Sequence, residues 1–445
     1  MTAELHSVLA HGVGARGDLP LPFILFGIGA AVALMATFIS LSFFWHRPWL
    51  PAAASGRSFG TAAGRVLDVV AVPARLASLA LFVLALASSV GGAAVGSQRF
   101  GPLTVYVALW VGMAMVAAVF GDVWRVLNPF ETIAAAIEWT AKKLGLPPID
   151  DTGEIPGGYW PAVVALFWFL LFELCYHEGT TNEAVGGAMI AYTVGMVGGS
   201  AVYGRRWLRQ ADGFGVLFSL LAKMSPLYRD DTGAVRLRAP LSGLTTVAPR
   251  IDLLAVLLVV LGGTTFDSLA GSTLWPAIVG NPRGWTATGI NTAGMIIVIA
   301  IMAFLYYLGS LAVGWFTEQS ASEVARRFAH SLVPIVLGYT VAHYFSLLVL
   351  DGGQNFLRLL SNPFGRGSNW FGTADWAVNF FLVSTDAIAW VQFSAIVLGH
   401  IAAVLVAHDR AVETSDASEA TWAQRPMLLV MVFYSVVGLW LLQKA

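Results

Sequence analysis

Ten apolar runs, most of them about twenty residues long, recur along the 445-residue chain and constrain its fold more than any other feature. They lie near 21–45, 74–95, 102–121, 158–176, 184–203, 251–270, 289–312, 331–350, 386–406 and 427–442. A helix of roughly 20 apolar residues crosses the ~30 Å of hydrocarbon in a bilayer. Backbone groups in hydrocarbon must find their partners within the protein, so runs of this kind read as helices. The expected fold is an all-α integral membrane protein, one transmembrane domain over 1–445 built as a bundle of about ten helices. Charge agrees with this: 11% of residues are charged, where soluble domains carry about 25%. A net charge of −1 offers no basic surplus for nucleic acid. Cys175 is the only cysteine, which excludes an internal disulfide and any thiolate metal cluster.

Orientation follows from the arginines and lysines. The segments 46–75, 122–157, 204–250, 313–330 and 407–426 hold four, three, eight, two and two of them, nineteen of the 25. Basic residues collect on the cytoplasmic side, so these segments are expected inside and both termini outside. Residues 1–19 lack the basic n-region of a signal peptide, and the apolar run after them is too long for its h-region, so it reads as a retained first span. The setting is then a multi-pass protein of the bacterial plasma membrane, with the lipid bilayer as its first partner. Two connecting segments are long. The inner segment 204–250 is expected to hold an interfacial amphipathic helix and a short hairpin turning on Asp230-Asp231-Thr232-Gly233. The outer segment 351–385 is rich in aromatics, Gly and Asn and is expected to fold as a lid over the bundle. No internal repeat is evident.

Ionisable residues inside apolar runs carry the functional signal, because a charge at mid-bilayer costs at least ~2.5–3.5 kcal/mol. Toward the outer side these are Glu173 and His177, Asp267, His343, Asp351, Asp386 and, deeper, His400. Glu173 and His177 are four apart and would share a helix face. His343 and Asp351 are eight apart, about 80° around a helix, and Asp386 and His400 fourteen apart, about 40°. A set of histidines and carboxylates suits a borderline or hard divalent metal such as Zn or Mn. His343, His177, Asp267 and Asp351 are the candidate ligands, His343 and Glu173 the candidate catalytic groups, and Asp386 and His400 orienting or relay groups. Plain interfacial or hydrogen-bonded roles remain open for each. Haem is disfavoured: counting from inner-side His330 and His408 at 1.5 Å per residue leaves His343 and His400 about 8 Å apart in depth. At the inner end of the third run, Asp122, Arg125, Asn128 and Glu131 recur every three residues and read as a structural ion-pair and cap cluster, with an inner gate as the alternative. His408 and Arg410 mark the cytoplasmic exit of the ninth run.

The stretches "HGVGARGDLPLP", "WRVLNPFETI", "TTFDSL", "HSLVPIVLGYTVAHYFSLL", "GRGSNWFGTADW" and "GHIAAVLVAHDRAV" together resemble the polytopic actinobacterial membrane proteins known as fenitrothion hydrolase. The resemblance runs over nearly the whole chain. It implies hydrolysis of an organophosphorus triester, a small apolar substrate that need not be the native one, and it carries over no catalytic residue set. Three functions stay open: a membrane-embedded, metal-assisted hydrolase of apolar esters; a proton-coupled small-molecule transporter with His400 as a relay step; and an assembly subunit of a larger membrane complex.

Overall fold

The structure is a computed structural model and describes residues 23–94, 99–150, 152–414 and 417–444. The chain ends, on which the readings of a signal peptide and of the terminal orientation bear, lie outside the described residues. The protein is an all-α membrane protein. Among the described residues, eight helices are long and apolar enough to cross a bilayer, and Trp160–Leu174, Gly213–Ala222 and Arg425–Leu441 are shorter apolar helices.

In chain order the main helices are α1 (Phe23–Phe44), α2 (Thr61–Gly91), α3 (Phe100–Phe120), α4 (Pro129–Lys143), α5 (Trp160–Leu174), α6 (Asn182–Tyr203) and α7 (Gly213–Ala222). They continue with α8 (Ile251–Gly271), α9 (Gly284–Thr317), α10 (Leu332–Val349), α11 (Asp351–Leu360), α12 (Thr385–Thr414) and α13 (Ala417–Lys444). Two of them form the centre. The apolar window of α8 is 67% buried and that of the stretch containing α10 is 72% buried, against 11% for α2, whose valines and leucines face outward. Helices in lipid gain little from hiding apolar surface from one another, so close backbone approach has to hold them together. That approach is visible where α10 crosses α12. A Cβ on Gly399 would meet the Pro334 carbonyl oxygen at 2.8 Å and Gly338 Cα at 3.2 Å. On α8, a Cβ on Gly262 would meet Ile299 Cα of α9 at 2.7 Å. The helix α3 departs from α geometry: Thr104–Met113 is a π-helix, a rare form found mostly as single turns and often at functional sites.

The segment 204–250 differs from expectation in one respect. Arg205–Ala211 is helical, and Asp212 breaks the chain before α7. Yet α7 is no interfacial helix, because Val216, Leu217, Phe218 and Leu221 are all but fully buried. A helix that is apolar on every side belongs inside the bundle, not at its surface. The hairpin follows as β2 (Leu227–Arg229) and β3 (Val235–Leu237), with Leu227 opposite Leu237, and β1 (Arg57–Ser58) adds antiparallel to β3. Its turn is built by Asp230, whose Oδ1 accepts from the backbone N–H groups of Thr232 and Ala234 at 3.0 Å each. Gly233 supplies the required positive φ of 81°. The Thr232 hydroxyl and the Arg236 guanidinium hold the Asp230 carboxyl down at about 2.

The segment 351–385 is likewise not loop throughout. Its first ten residues form α11, which packs with Gly352, Asn355 and Leu359 buried. Leu350, at φ −99° and ψ −93°, separates α11 from α10.

Candidate functional site

The centre of the bundle holds a polar chain anchored on His343. The sequence "TTFDSL" near the end of α8 puts Asp267 and Ser268 side by side, and α10 brings the imidazole between them. His343 Nε2 lies 2.8 Å from Asp267 Oδ2, a close contact that is off-line for an aligned hydrogen bond. On the opposite ring edge, Nδ1 is 2.9 Å from Ser268 Oγ. Tyr339, one turn earlier on α10, donates its hydroxyl to Ser268 Oγ at 2.6 Å. Tyr344 donates to Asp267 Oδ2 at 2.7 Å. The Tyr339 ring lies parallel to the imidazole, and the Tyr344 ring meets it edge-on with centroids 4.5 Å apart. Because the Tyr339 hydroxyl spends its proton on Ser268, the Ser268 proton is free to point at Nδ1. The tautomer assigned by this network therefore carries its proton on Nε2, facing the carboxylate. Asp267, Ser268 and His343 are all buried.

Glu173 of α5 completes the group. Its carboxylate is an electrostatic neighbour of Asp267, Tyr344 and Tyr106, and its Oε2 is buried without a hydrogen-bond partner among the described residues. Tyr106 belongs to the π-helical part of α3 and donates to the carbonyl of Gly179, just beyond α5, at 2.5 Å. The wider π turn thus ties α3 to the end of the helix that carries Glu173.

The other sequence candidates are placed elsewhere. Glu173 and His177 do not share a helix face, because α5 ends at Leu174. His177 lies past that end and is exposed. Its backbone N–H and Nδ1 meet Thr288 Oγ1 of α9 at 3.1 and 2.9 Å, between the rings of Tyr176 and Trp285. Asp351 shares no helix with His343, since the break at Leu350 makes it the first residue of α11, where it accepts from Asn355 Nδ2 at 2.9 Å. The four residues read as metal ligands are therefore dispersed, apart from His343 and Asp267. Among the described residues, no three His, Cys, Asp or Glu side chains gather into a group able to hold a metal ion. Asp386 is exposed in the first turn of α12. His400 is buried fourteen residues further on, about 21 Å along the axis. Its Nδ1 pairs with the Ile396 carbonyl oxygen at 2.9 Å, and its Nε2 has no hydrogen-bond partner among the described residues.

The cluster read on Asp122, Arg125, Asn128 and Glu131 is also rearranged. Gly121, at φ +87°, ends α3, and Asn128 is extended, so the four do not lie on one helix. Asp122 and Arg125 are exposed. Glu131 stands 3.5 Å from Arg205, which also grips Glu138. Asn128 caps α4 by accepting the Phe130 N–H at 2.9 Å, and its amide turns to a residue absent from the sequence reading, Asp212. The fully buried Asp212 accepts from Asn128 Nδ2 at 2.8 Å, Trp124 Nε1 at 3.0 Å and the Tyr192 hydroxyl at 2.7 Å. Burial pushes its carboxyl above the ordinary range, while the donors, Tyr192 and Trp124 foremost, pull against that shift. A second hub is Asp409, whose Oδ1 accepts from Trp45 Nε1 at 2.9 Å, Trp49 N at 2.7 Å and Leu50 N at 3.2 Å. With His408 on the Trp45 carbonyl oxygen it straps the connector after α1 to α12, while Arg410 ties the Thr245 carbonyl, before α8, to the same helix. Ser268, Tyr339 and Tyr344 were also missed. Tyr339 lies four residues before His343, so helical spacing alone could have found it.

No family model matches the chain. Searches of curated proteins and of solved structures find no match either.

Replacing Asp212 by Ala leaves three buried donors without an acceptor, at about 1–3 kcal/mol each. Asp212→Ala is expected to unfold at clearly lower temperature in detergent than the parent, whereas Asp386→Ala, at an exposed position, melts with it. Equal melting of all three proteins would remove Asp212 as a structural hub.

Proposed function

We propose that the chain is a proton-coupled small-molecule transporter in which the Asp267–His343 pair is the group that takes up and releases the proton. The observation that carries this reading is His343, held by both ring nitrogens between a buried carboxylate and a buried hydroxyl. Ionisable residues inside membrane helices mark ion paths and proton relays. Tyr339, Ser268, His343, Asp267 and Tyr344 each donate or accept a proton in an unbroken run of short contacts. Glu173, beside Asp267 with one oxygen unpartnered, is the carboxylate from which a proton enters or to which it leaves. A proton moving onto Asp267 removes the charge that attracts His343 and receives Tyr344, so protonation and helix packing are coupled at one point. His400 lies deeper and serves as a further acceptor on the path.

In the same reading, the eight long helices cross together with Trp160–Leu174 and Arg425–Leu441, giving ten spans with both termini outside. The excess of Lys and Arg in alternate connectors supports this orientation in a bacterial plasma membrane. Asp267 and His343 then stand in the outer half of the bilayer, near the ends of α8 and α10.

A second reading is favoured by one specific feature. Hydroxyl, imidazole and carboxylate follow one another as in a nucleophilic triad, although with the two ring nitrogens exchanged. With the resemblance to fenitrothion hydrolase, this makes Ser268 the nucleophile of an ester hydrolase, its proton passing to His343 Nδ1. With His177 and Asp351 placed apart from His343 and Asp267, this reading is written without a metal.

The two readings separate in one preparation. In proteoliposomes with an internal pH dye and an imposed gradient, transport predicts proton entry that Asp267→Asn abolishes and Ser268→Ala only slows. Entry equal in the parent and Asp267→Asn would contradict it. Hydrolysis predicts release of nitrophenol from fenitrothion that Ser268→Ala abolishes, and turnover untouched by that change would contradict the second reading.

A further inference from the structure

The aromatic segment 361–384, between α11 and α12, carries a set of outward-facing aromatic side chains. Phe381 is 86% exposed, and Trp370, Phe371, Trp376 and Leu382 are each more than half exposed. Water would normally disfavour such a display, and a solvated loop would be mobile and polar. This one is rich in aromatics and held by hydrogen bonds. Its backbone is fastened by the side chains of α11 and the residue that follows it. The Ser361 hydroxyl accepts from Phe371 N and Thr373 N at 3.1 and 3.2 Å, and Gln354 exchanges hydrogen bonds with the backbone of Asn379 at 2.8 and 3.1 Å. The Thr373 hydroxyl donates to the Leu357 carbonyl at 2.7 Å. The segment is also pinned to the end of α2, with Arg366 on the Gly91 carbonyl at 2.7 Å and Ala93 N on that of Phe364 at 2.9 Å.

Lipid-exposed irregular backbone is excluded from the hydrocarbon itself, so a segment of this kind belongs at headgroup depth. Several of its backbone groups are held by neighbouring side chains. Within 361–384 the only charged residues are Arg366 and Asp375, so the net charge is zero. The segment feeds α12, which itself exposes Trp390 and Leu398. Trp and Phe on a rigid frame, continuous with lipid-facing helix, match the boundary between headgroups and acyl chains.

We infer that residues 370–382 form a preformed wedge inserted into the leaflet at that end of the bundle, with phospholipid as the partner. The wedge holds the α11–α12 connection at a fixed depth, and with it the ends of α10 and α12. Zero net charge makes its insertion independent of anionic lipid.

Spin labelling tests this directly, because Cys175 is buried and is the only native cysteine. Phe381→Cys and Leu382→Cys would each carry a nitroxide in phosphatidylcholine nanodiscs, with Asp231→Cys in the exposed hairpin turn as the aqueous reference. The expected result is loss of collisions with a water-soluble nickel chelate at 381 and 382, with oxygen collisions retained, and the reverse at 231. Nickel access at 381 and 382 equal to that at 231 would overturn the wedge. Shielding of both positions from nickel and oxygen alike would also overturn it, in favour of a covering protein or second copy. Two labelled positions keep the outcome readable if one variant fails to fold.

Discussion

A carboxylate surrounded by packed apolar helices is tolerated only if another group shares or neutralises its charge. In this bundle that group is His343, 2.8 Å from Asp267, and the arrangement of the central helices follows from keeping the two together. Asp267 sits on α8 and His343 on α10, the most deeply enclosed of the long helices. Their contact reaches outward through Tyr344, Ser268 and Tyr339, all of which would be poor choices for a plain apolar core. The three hydroxyls each have a partner within the cluster, so those donors can be buried without being left unsatisfied. His343 Nε2, close to Asp267 but off-line, and Glu173 Oε2 are buried without a hydrogen-bond partner among the described residues.

Small residues make that centre accessible to α10. The Gly338–Gly399 crossing lets α12 approach α10 at backbone distance, which fixes α10 against one neighbour while His343 ties it to another. The hubs at Asp212 and Asp409 act at a different level. Each collects donors from segments far apart in sequence, and so fastens connectors and short helices to the ends of the bundle. Three acceptor contacts to one buried carboxylate also give geometric specificity that apolar packing between helices in lipid does not supply.

The apolar runs announced the helices because length and hydropathy are local properties. Eight of the ten expected spans reappear as helices of spanning length, and the other two as the shorter apolar helices. Part of the candidate cluster was legible for a similar reason: an ionisable group in an apolar run stands out, and the two that stood out at Asp267 and His343 meet in the structure. What failed depended on where helices stop. Glu173 and His177 have helical spacing, but α5 ends between them. His343 and Asp351 have it too, but Leu350 breaks the chain. Asp122 to Glu131 form a regular pattern, but α3 ends before it at Gly121 and the extended Asn128 interrupts it. The apolar run 213–222 looked interfacial because arginines precede it, whereas burial is decided by which helices surround it. Asp212 and Ser268 gave no compositional signal, since one polar residue beside a helix end is ordinary in any sequence.

The central claim is that Asp267 changes its protonation state within the buried chain. Infrared difference spectroscopy of the protein in lipid, recorded across a pH jump, reads this without knowledge of the substrate. The predicted result is a protonated-carboxyl stretching band that Asp267→Asn removes and Asp386→Asn leaves in place. Difference spectra identical in the parent and Asp267→Asn would contradict the claim.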